Sequence, residues 1–364
     1  MPINRDGYMT PSLAQQRLWF LEQFDQDSTA YNIPCALRFR GVLDRDALNR
    51  SFQEVIRRHE VLRTRLINVE GAPRGLVRSI ADWNLDVRSL LETPVDQRED
   101  ELKRIASAEA RRRFDLPSAI LVRACLVVLG AEDHALIVNI HHIAADGWSL
   151  GVLTAELTQL YEAFRNGHAS PLPDLPIQYA DYAHWHRRHV ENGIFQSEVS
   201  YWKKQLRGPL SVIDLPKDRP RAATMSYRGA IGKQMFDAHV QESIRTFSIA
   251  GKTTPFVILL AAFKILLFRY TSQADVIVGS ATAGRSRKEL EKLIGLFINN
   301  LVLRTDLSGD PTGKDVLSRV RDTVLNAFAN QNATLDHLVD VLQPHRELNH
   351  SPLFQVMFLS LIHI

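Results

Sequence analysis

Residues 120–150 read ILVRACLVVLGAEDHALIVNIHHIAADGWSL, and the succession of strand, turn, strand, loop and helix start within them decides the fold class. Residues 121–129 are strongly β-forming, Gly130-Ala131-Glu132-Asp133 supplies turn residues, and residues 135–140 are a second β run, so a hairpin of central strands is expected. Beyond residue 147 the apolar period lengthens, and Leu150, Leu153, Leu157, Leu160, Tyr161 and Phe164 fall on one side of a helix. A polar loop between a buried strand and a helix presents side chains instead of packing them away.

That loop, His141-His142-Ile143-Ala144-Ala145-Asp146-Gly147, concentrates the chain's acid–base groups. Strand alternation sends His142 to the face of Leu136, Val138 and Ile140, and His141 to that of Ile137 and Asn139, so only one imidazole enters a given cavity. Imidazole titrates near neutral pH and can take a proton from an amine or orient it. Asp146 in the turn can pair with an arginine or accept backbone N–H bonds, and Gly147 admits backbone angles closed to other residues. Taken singly, each residue is more often structural than functional: a histidine at a strand end is usually a satisfied polar group, and Asp-Gly is commonly just a turn. Their combination singles the loop out.

Working outward, Thr10-Pro11 reads as an N-cap and first helical residue, followed by about four turns carrying Leu13, Leu18, Leu21 and Phe24. Ile33, Cys35, Leu37 and Phe39 alternate as in a strand, Leu48, Phe52, Val55 and Ile56 restore the helical period, and residues 96–113 form a charged helix. Prolines 171, 173, 176, 209, 216 and 220 surround a short aromatic helix with Tyr179, Tyr182 and Trp185 and mark a connection. Thr254-Pro255 then caps an apolar helix, residues 276–279 and 301–307 read as strands, residues 314–330 and 335–342 as helices, and residues 354–361 as a last strand. The expected organisation is a lobe over 1–170 with the histidine loop, a connection over 171–220 and a second lobe over 221–364.

The composition, with 45% hydrophobic and 23% charged residues, is that of a globular chain and excludes disordered and fibrous classes. A formal charge of +3 arises from basic residues scattered along the chain, which argues against a nucleic-acid footprint. Cys35 and Cys125 lie in apolar runs without metal spacing and read as buried small hydrophobes. Residues 1–10 lack a signal-peptide pattern, and the apolar run 255–270 contains Lys264 and Arg269 and is short for a membrane span, so a cytoplasmic protein is expected.

The loop fits the His-His-x-x-x-Asp-Gly motif of the condensation-domain superfamily, which includes chloramphenicol acetyltransferase-like enzymes. Residues 12–21 (SLAQQRLWFL), 58–65 (RHEVLRTR), 179–185 (YADYAHW), 294–304 (IGLFINNLVLR) and 351–358 (SPLFQVMF) resemble, in order, further core motifs of nonribosomal peptide synthetase condensation domains. Two departures stand out. Residues 330–335 (NQNATL) replace the usual His-Gln-Asp-x-Pro-Phe, which puts local packing in question, and the ending 360–364 does not resemble the family's continuation, so the chain reads as C-terminally incomplete.

The resemblance implies an α/β (α+β) fold of two chloramphenicol acetyltransferase-like lobes in a V-shaped pseudo-dimer, each a mixed sheet flanked by helices. It implies an acyltransferase that forms a peptide bond between a donor thioester and an acceptor amine, in antibiotic or other secondary-metabolite synthesis. Both substrates would arrive on the 4'-phosphopantetheine of donor and acceptor peptidyl carrier domains beside an adenylation domain, with no metal and no cofactor of the domain's own. The implied site is His142, His141, Asp146 and Gly147, supported by Arg285, Arg63 and Trp148. In it His142 faces the tunnel, Asp146 pairs with Arg285 from the other lobe, and the Gly147 N–H meets the developing oxyanion. The run Asp146-Gly147-Trp148-Ser149-Leu150 fits condensation better than epimerization or heterocyclization, and the first motif fits an L-configured donor. A freestanding acyltransferase with a soluble thioester, and a silent recruiting module, stay open as alternatives; intact His142 and Asp146 argue against the second.

Overall fold

The computed structural model describes residues 2–24, 28–79, 83–118, 120–219, 229–343 and 350–360. In chain order its elements are α1 (Leu13–Phe24), β1 (Asn32–Arg40), α2 (Arg45–Arg58), β2 (Thr64–Val69), β3 (Ala72–Val77), β4 (Asp86–Ser89), α3 (Arg98–Arg111), β5 (Val122–Gly130), β6 (Asp133–His141), α4 (Gly147–Arg165), α5 (Tyr179–Glu191) and α6 (Gln196–Gln205). There follow α7 (Ala238–Ala250), α8 (Pro255–Thr271), β7 (Asp275–Thr282), α9 (Lys288–Glu291), β8 (Asn299–Asp306), α10 (Gly313–Ala329) and α11 (Leu335–Leu342). The chain divides into two compact units, one of Met1–Asn192 with Arg285–Phe297, the other of Gly193–Gly284 with Ile298–Ile364.

The first unit is built on a mixed sheet in the order β1-β6-β5-β4, in which β6 pairs antiparallel with both β1 and β5, and β4 runs parallel to β5. Gly130 and Asp133 close the expected hairpin, with an irregularity between Val128 and Gly130. Cys125, Val127, Leu129, Ala135 and Ile137 on one face pack with Leu90 and with Ile105, Leu102 and Ala106 of α3. Alternate residues Leu126, Leu136, Val138 and Ile140 are buried too, so both faces of the two central strands are covered and their sequences read as continuous apolar runs. Helix α2, capped by Asp44, turns Phe52, Val55 and Ile56 into the core, where Phe52 stacks on Trp83.

The second unit holds β7 and β8 as an antiparallel pair under α8, whose cap is Thr254 with Pro255 in its first turn, as expected. Trp202, Leu260, Val278, Leu303 and Val320 lie at its centre. Lys264 is wholly buried there, its Nζ donating to Leu303 O at 2.6 Å, Thr305 Oγ1 at 2.9 Å and Val276 O at 3.2 Å. The departing stretch 330–335 is well supported: Glu198 accepts from the backbone of Asn332 and Ala333, and Asn299 bridges Gln331 O and Leu335 N.

Several local expectations need correction. Helix α1 begins at Leu13, not after Thr10, because Ser12 Oγ accepts Gln15 N–H while Gln15 Oε1 accepts Ser12 N–H, a reciprocal cap that Pro11 precedes. Residues 354–360 do not form a strand. Met357 makes one parallel bridge to Gly279, held by Gly279 N–H to Val356 O and Phe358 N–H to Gly279 O, and Leu361 lies outside the described residues. The hairpin β2–β3, strand β4 and helices α6 and α7 were not expected from the sequence pattern. In the hairpin, Glu70 and Gly71 both take positive φ, 54° and 82°, the two-residue turn that matches strand twist. Among the described residues no single helix is long and apolar enough to cross a membrane; α7 and α8 pass only as a pair bent by 106°.

Candidate active site

Strand β6 ends at His141, and the next residues turn into α4, so the histidine loop is held between a buried strand and a helix N-terminus. His141 is buried, its Nε2 2.5 Å from Glu22 Oε1. Its Nδ1 accepts the Ile143 N–H at 3.1 Å, which leaves the ring proton on Nε2 for the Glu22 carboxylate. Phe114 meets the ring edge-on at 5.7 Å. Both nitrogens of His141 are therefore occupied.

His142 differs. It is half-buried, and its Nδ1 lies 2.8 Å from Ala145 O. A carbonyl only accepts, so Nδ1 carries the hydrogen, and the neutral ring presents an unprotonated Nε2. The loop backbone is pinned by His142 N–H to Tyr31 O and by Gln15 Nε2 to Ile143 O.

Asp146, 1% exposed, is the N-cap of α4. Its Oδ1 accepts Ser149 N–H at 2.9 Å, Ser149 Oγ–H at 2.7 Å and Arg285 at 3.0 Å, and its Oδ2 accepts Arg285 at 2.8 Å and Phe297 N–H at 2.9 Å. The Arg285 side chain is 1% exposed and lies 4.3 Å above the Phe297 ring. The Asp146–Arg285 pair is present, but the expectation that Arg285 comes from the other lobe is corrected: its segment, Arg285–Phe297, is compact with Met1–Asn192, the unit that carries Asp146. Trp148 donates from Nε1 to Glu291 O at 2.9 Å. Gly147 is the first residue of α4 and is not among the glycines with positive φ, so the conformational freedom expected of it is unused; helix entry sets its angles. Arg63 makes its hydrogen bonds to the carbonyls of Ile56, Arg57 and Arg78, outside the histidine loop.

Residues 293–297, of which 294–297 open a motif that resembles the family's but carried no expected contacts, are gripped one after another through their backbone. Leu293 O accepts from Arg285, Ile294 N–H donates to His59 Nδ1, Gly295 N–H donates to Ser149 Oγ, Leu296 O accepts from Tyr179, and Phe297 N–H donates to Asp146. Burial raises the Tyr179 phenol well above its usual range, so it stays a donor to Leu296 while Ser12 Oγ lies 2.8 Å from its oxygen. A Cβ on Gly295 would overlap the Tyr179 ring and stand 2.6 Å from Phe297 Cε2, so this position takes glycine for closeness of approach. Behind the segment, Glu156 accepts from His59 Nε2 at 3.0 Å and from Arg58 through both oxygens. Burial pushes the Glu156 carboxyl up, but hydrogen bonds from His59 and Arg58 outweigh it and hold the group below its usual range.

Sequence reading missed Glu22, Ser149, Tyr179, His59 and Glu156 as partners of the site. Glu22 has a visible signal, a carboxylate on an otherwise mostly apolar helix, and Ser149 has one in its spacing three residues after the Asp146 cap; His59, Tyr179 and Glu156 become legible only through contacts 97 to 235 residues apart, such as His59 with Glu156 and with Ile294. Among the described residues no group of three or more His, Cys, Asp or Glu is placed to hold a metal ion.

Residues 6–360 match the family model of the condensation domain. The chain is 45% identical over 358 residues to one of the linear gramicidin synthase proteins of Brevibacillus parabrevis, covering 98% of this chain but 7% of that synthase protein. Among solved structures it resembles the X-domain from teicoplanin biosynthesis, with a TM-score of 0.89, 28% identity and coverage of 98% of this chain and 78% of that one. The first condensation domain of the calcium-dependent antibiotic synthetase, with a substrate analogue, shares the fold at a TM-score of 0.77 and 19% identity, over 94% of this chain and 80% of that one.

Proposed function

Because this chain belongs to the condensation-domain family, we propose that it forms the amide bond between a donor aminoacyl or peptidyl thioester and the amine of an acceptor in nonribosomal peptide synthesis. Donor and acceptor are carried on the 4'-phosphopantetheine arms of two peptidyl carrier domains, next to an adenylation domain in the same cytoplasmic synthetase. The acceptor nitrogen attacks the thioester carbonyl, the C–N bond forms, the C–S bond breaks, and the amine proton ends on the departing thiol. A thioester is already activated, so the domain's main contribution is to hold the two arms in register, an effect of about 7–11 kcal/mol for well-oriented reactants.

The observation that carries this reading is the 2.8 Å approach of His142 Nδ1 to Ala145 O. With Nδ1–H held by Ala145 O, Nε2 is the ring's acceptor and takes or orients the amine proton. Gly147 N–H, first in a 19-residue helix, is the donor we assign to the developing oxyanion, where the helix N-terminus adds positive potential. Asp146 and Arg285 brace the loop from beneath, His141 and Glu22 hold its start, and Trp148 ties it to α9. Arg63 steadies the turn before β2 at a distance from the chemistry.

The test is dipeptide formation followed by mass spectrometry with aminoacyl-loaded donor and acceptor carriers, comparing wild type with His142→Ala. Product from the wild type and a loss of about a hundredfold or more in the variant is expected for a general base. Equal product in both removes the role given to His142. Product from a soluble pantetheine thioester alone favours a freestanding acyltransferase, and no product from any loaded pair favours a silent recruiting module.

A further inference from the structure

We infer that His59, oriented by Glu156, is a positioning residue for this reaction: through its Nδ1 it fixes the Ile294 amide and, by way of residues 293–297, the carbonyl that sets the His142 tautomer. The inference rests on the reading of His142 given above. His59 is 1% exposed, and its two nitrogens face opposite demands. Ile294 N–H, at 3.2 Å from Nδ1, can only donate, and the Glu156 carboxylate, at 3.0 Å from Nε2, can only accept. The neutral ring with hydrogen on Nε2 alone satisfies both; the other tautomer sets N–H against N–H on one side and a lone pair against a carboxylate on the other.

The same device holds the catalytic loop itself, where His141 accepts Ile143 N–H at Nδ1 and points Nε2 at Glu22. Two buried histidine–carboxylate pairs thus each pin one backbone amide, one in the histidine loop and one in the segment that grips it. Arg58 shares Glu156 with His59, at 3.1 and 3.2 Å, and keeps the carboxylate charged against burial. From Ile294 the connection is short. Gly295 N–H donates to Ser149 Oγ, which itself donates to Asp146 Oδ1, and Phe297 N–H bonds to Asp146 Oδ2. Asp146 directly follows Ala145, whose carbonyl orients His142. A shift of the segment at Ile294 therefore moves the ligands of Asp146 and alters where Nε2 of His142 points.

Isotope-labelled histidine NMR on the full chain reads the His59 tautomer without a variant: hydrogen on Nε2 and none on Nδ1 is expected, and hydrogen on Nδ1 overturns the inference. Two amides then separate the functions of the ring. His59→Asn places an amide oxygen near Nδ1 and keeps an acceptor for Ile294, whereas His59→Gln reaches the Nε2 position and keeps only the Glu156 contact. His59→Gln is expected to lower kcat about tenfold, one lost backbone hydrogen bond converted at 1.36 kcal/mol per decade, with KM for the acceptor carrier within about twofold. It should also speed amide exchange over residues 293–297, and His59→Asn should restore both rate and protection. Equal losses in the two variants assign His59 to packing alone and overturn the inference; if His59→Gln does not fold, the tautomer and the His59→Asn exchange pattern decide. A wild type that makes no dipeptide, or a His142→Ala variant as active as wild type, sinks the functional reading instead, while tautomer and exchange still report whether His59 holds the segment.

Discussion

Asp146→Asn and Arg285→Met, made singly and together, separate bracing from chemistry at this site. Each partner is 1% exposed, and the carboxylate also accepts from Ser149 and Phe297, so either single change strands a buried charge or donor. Breaking one side of such a pair costs about 3–5 kcal/mol. The double variant removes both charges, and the amide oxygen that replaces the carboxylate can still accept one of the helix and segment N–H groups. The double should therefore fall short of the summed singles, with a coupling of about 1–3 kcal/mol. Urea unfolding followed by circular dichroism gives the stabilities, and dipeptide formation, measured below the unfolding transition, should fall in step with them. Single variants within about 1 kcal/mol of wild type would refute the reasoning. So would an Asp146→Asn protein of wild-type stability that has lost its turnover, since Asp146 would then be acting on substrate.

Gly295→Ala forces a methyl into the Tyr179 ring and to 2.6 Å from the Phe297 ring, and a loss of about 1–3 kcal/mol in the same unfolding assay is expected; a neutral outcome would mean that the segment shifts freely. Glu22→Leu leaves His141 Nε2–H buried without its acceptor and should cost about 1–3 kcal/mol, read as a lowered melting temperature, while His142 keeps its bond to Ala145. Burial pushes Lys264 from 10.5 down to about 7, so between those values the unfolded chain holds a proton that the folded chain has released, and stability should rise with pH across that window. At 1.36 kcal/mol per pH decade the ceiling is about 5 kcal/mol, reduced because three oxygen acceptors favour the ammonium. Lys264→Met should flatten the profile between pH 7 and 10.5, and a wild-type profile already flat there would remove the effect.

The strands and helices around the histidine loop were legible because their periods are local properties: alternation over a few residues, or apolar side chains three and four apart, report burial wherever the partner lies. The same locality placed His141 at the end of a buried strand. It failed at residues 354–360, whose apolar run serves a single bridge to Gly279, and at Thr10, since Ser12 competes for the cap through Gln15. Periodicity also says nothing about α7, whose only buried residue is Ser248, because no apolar stripe is buried to betray it.

The fold class, the hairpin that delivers the histidines and the family could be read from local patterns and motifs, and the pairing of Asp146 with Arg285 followed from the family resemblance. Which imidazole has a nitrogen to spare was settled by long-range packing. That choice depends on Glu22, 119 residues before His141, and on the Ala145 carbonyl, and an imidazole's tautomer is set by whichever donor or acceptor the fold brings to each nitrogen. It likewise took the fold to place His59, Ser149, Tyr179 and Asp146 along four consecutive backbone units, because hydrogen bonds between residues more than a hundred positions apart leave no period to read.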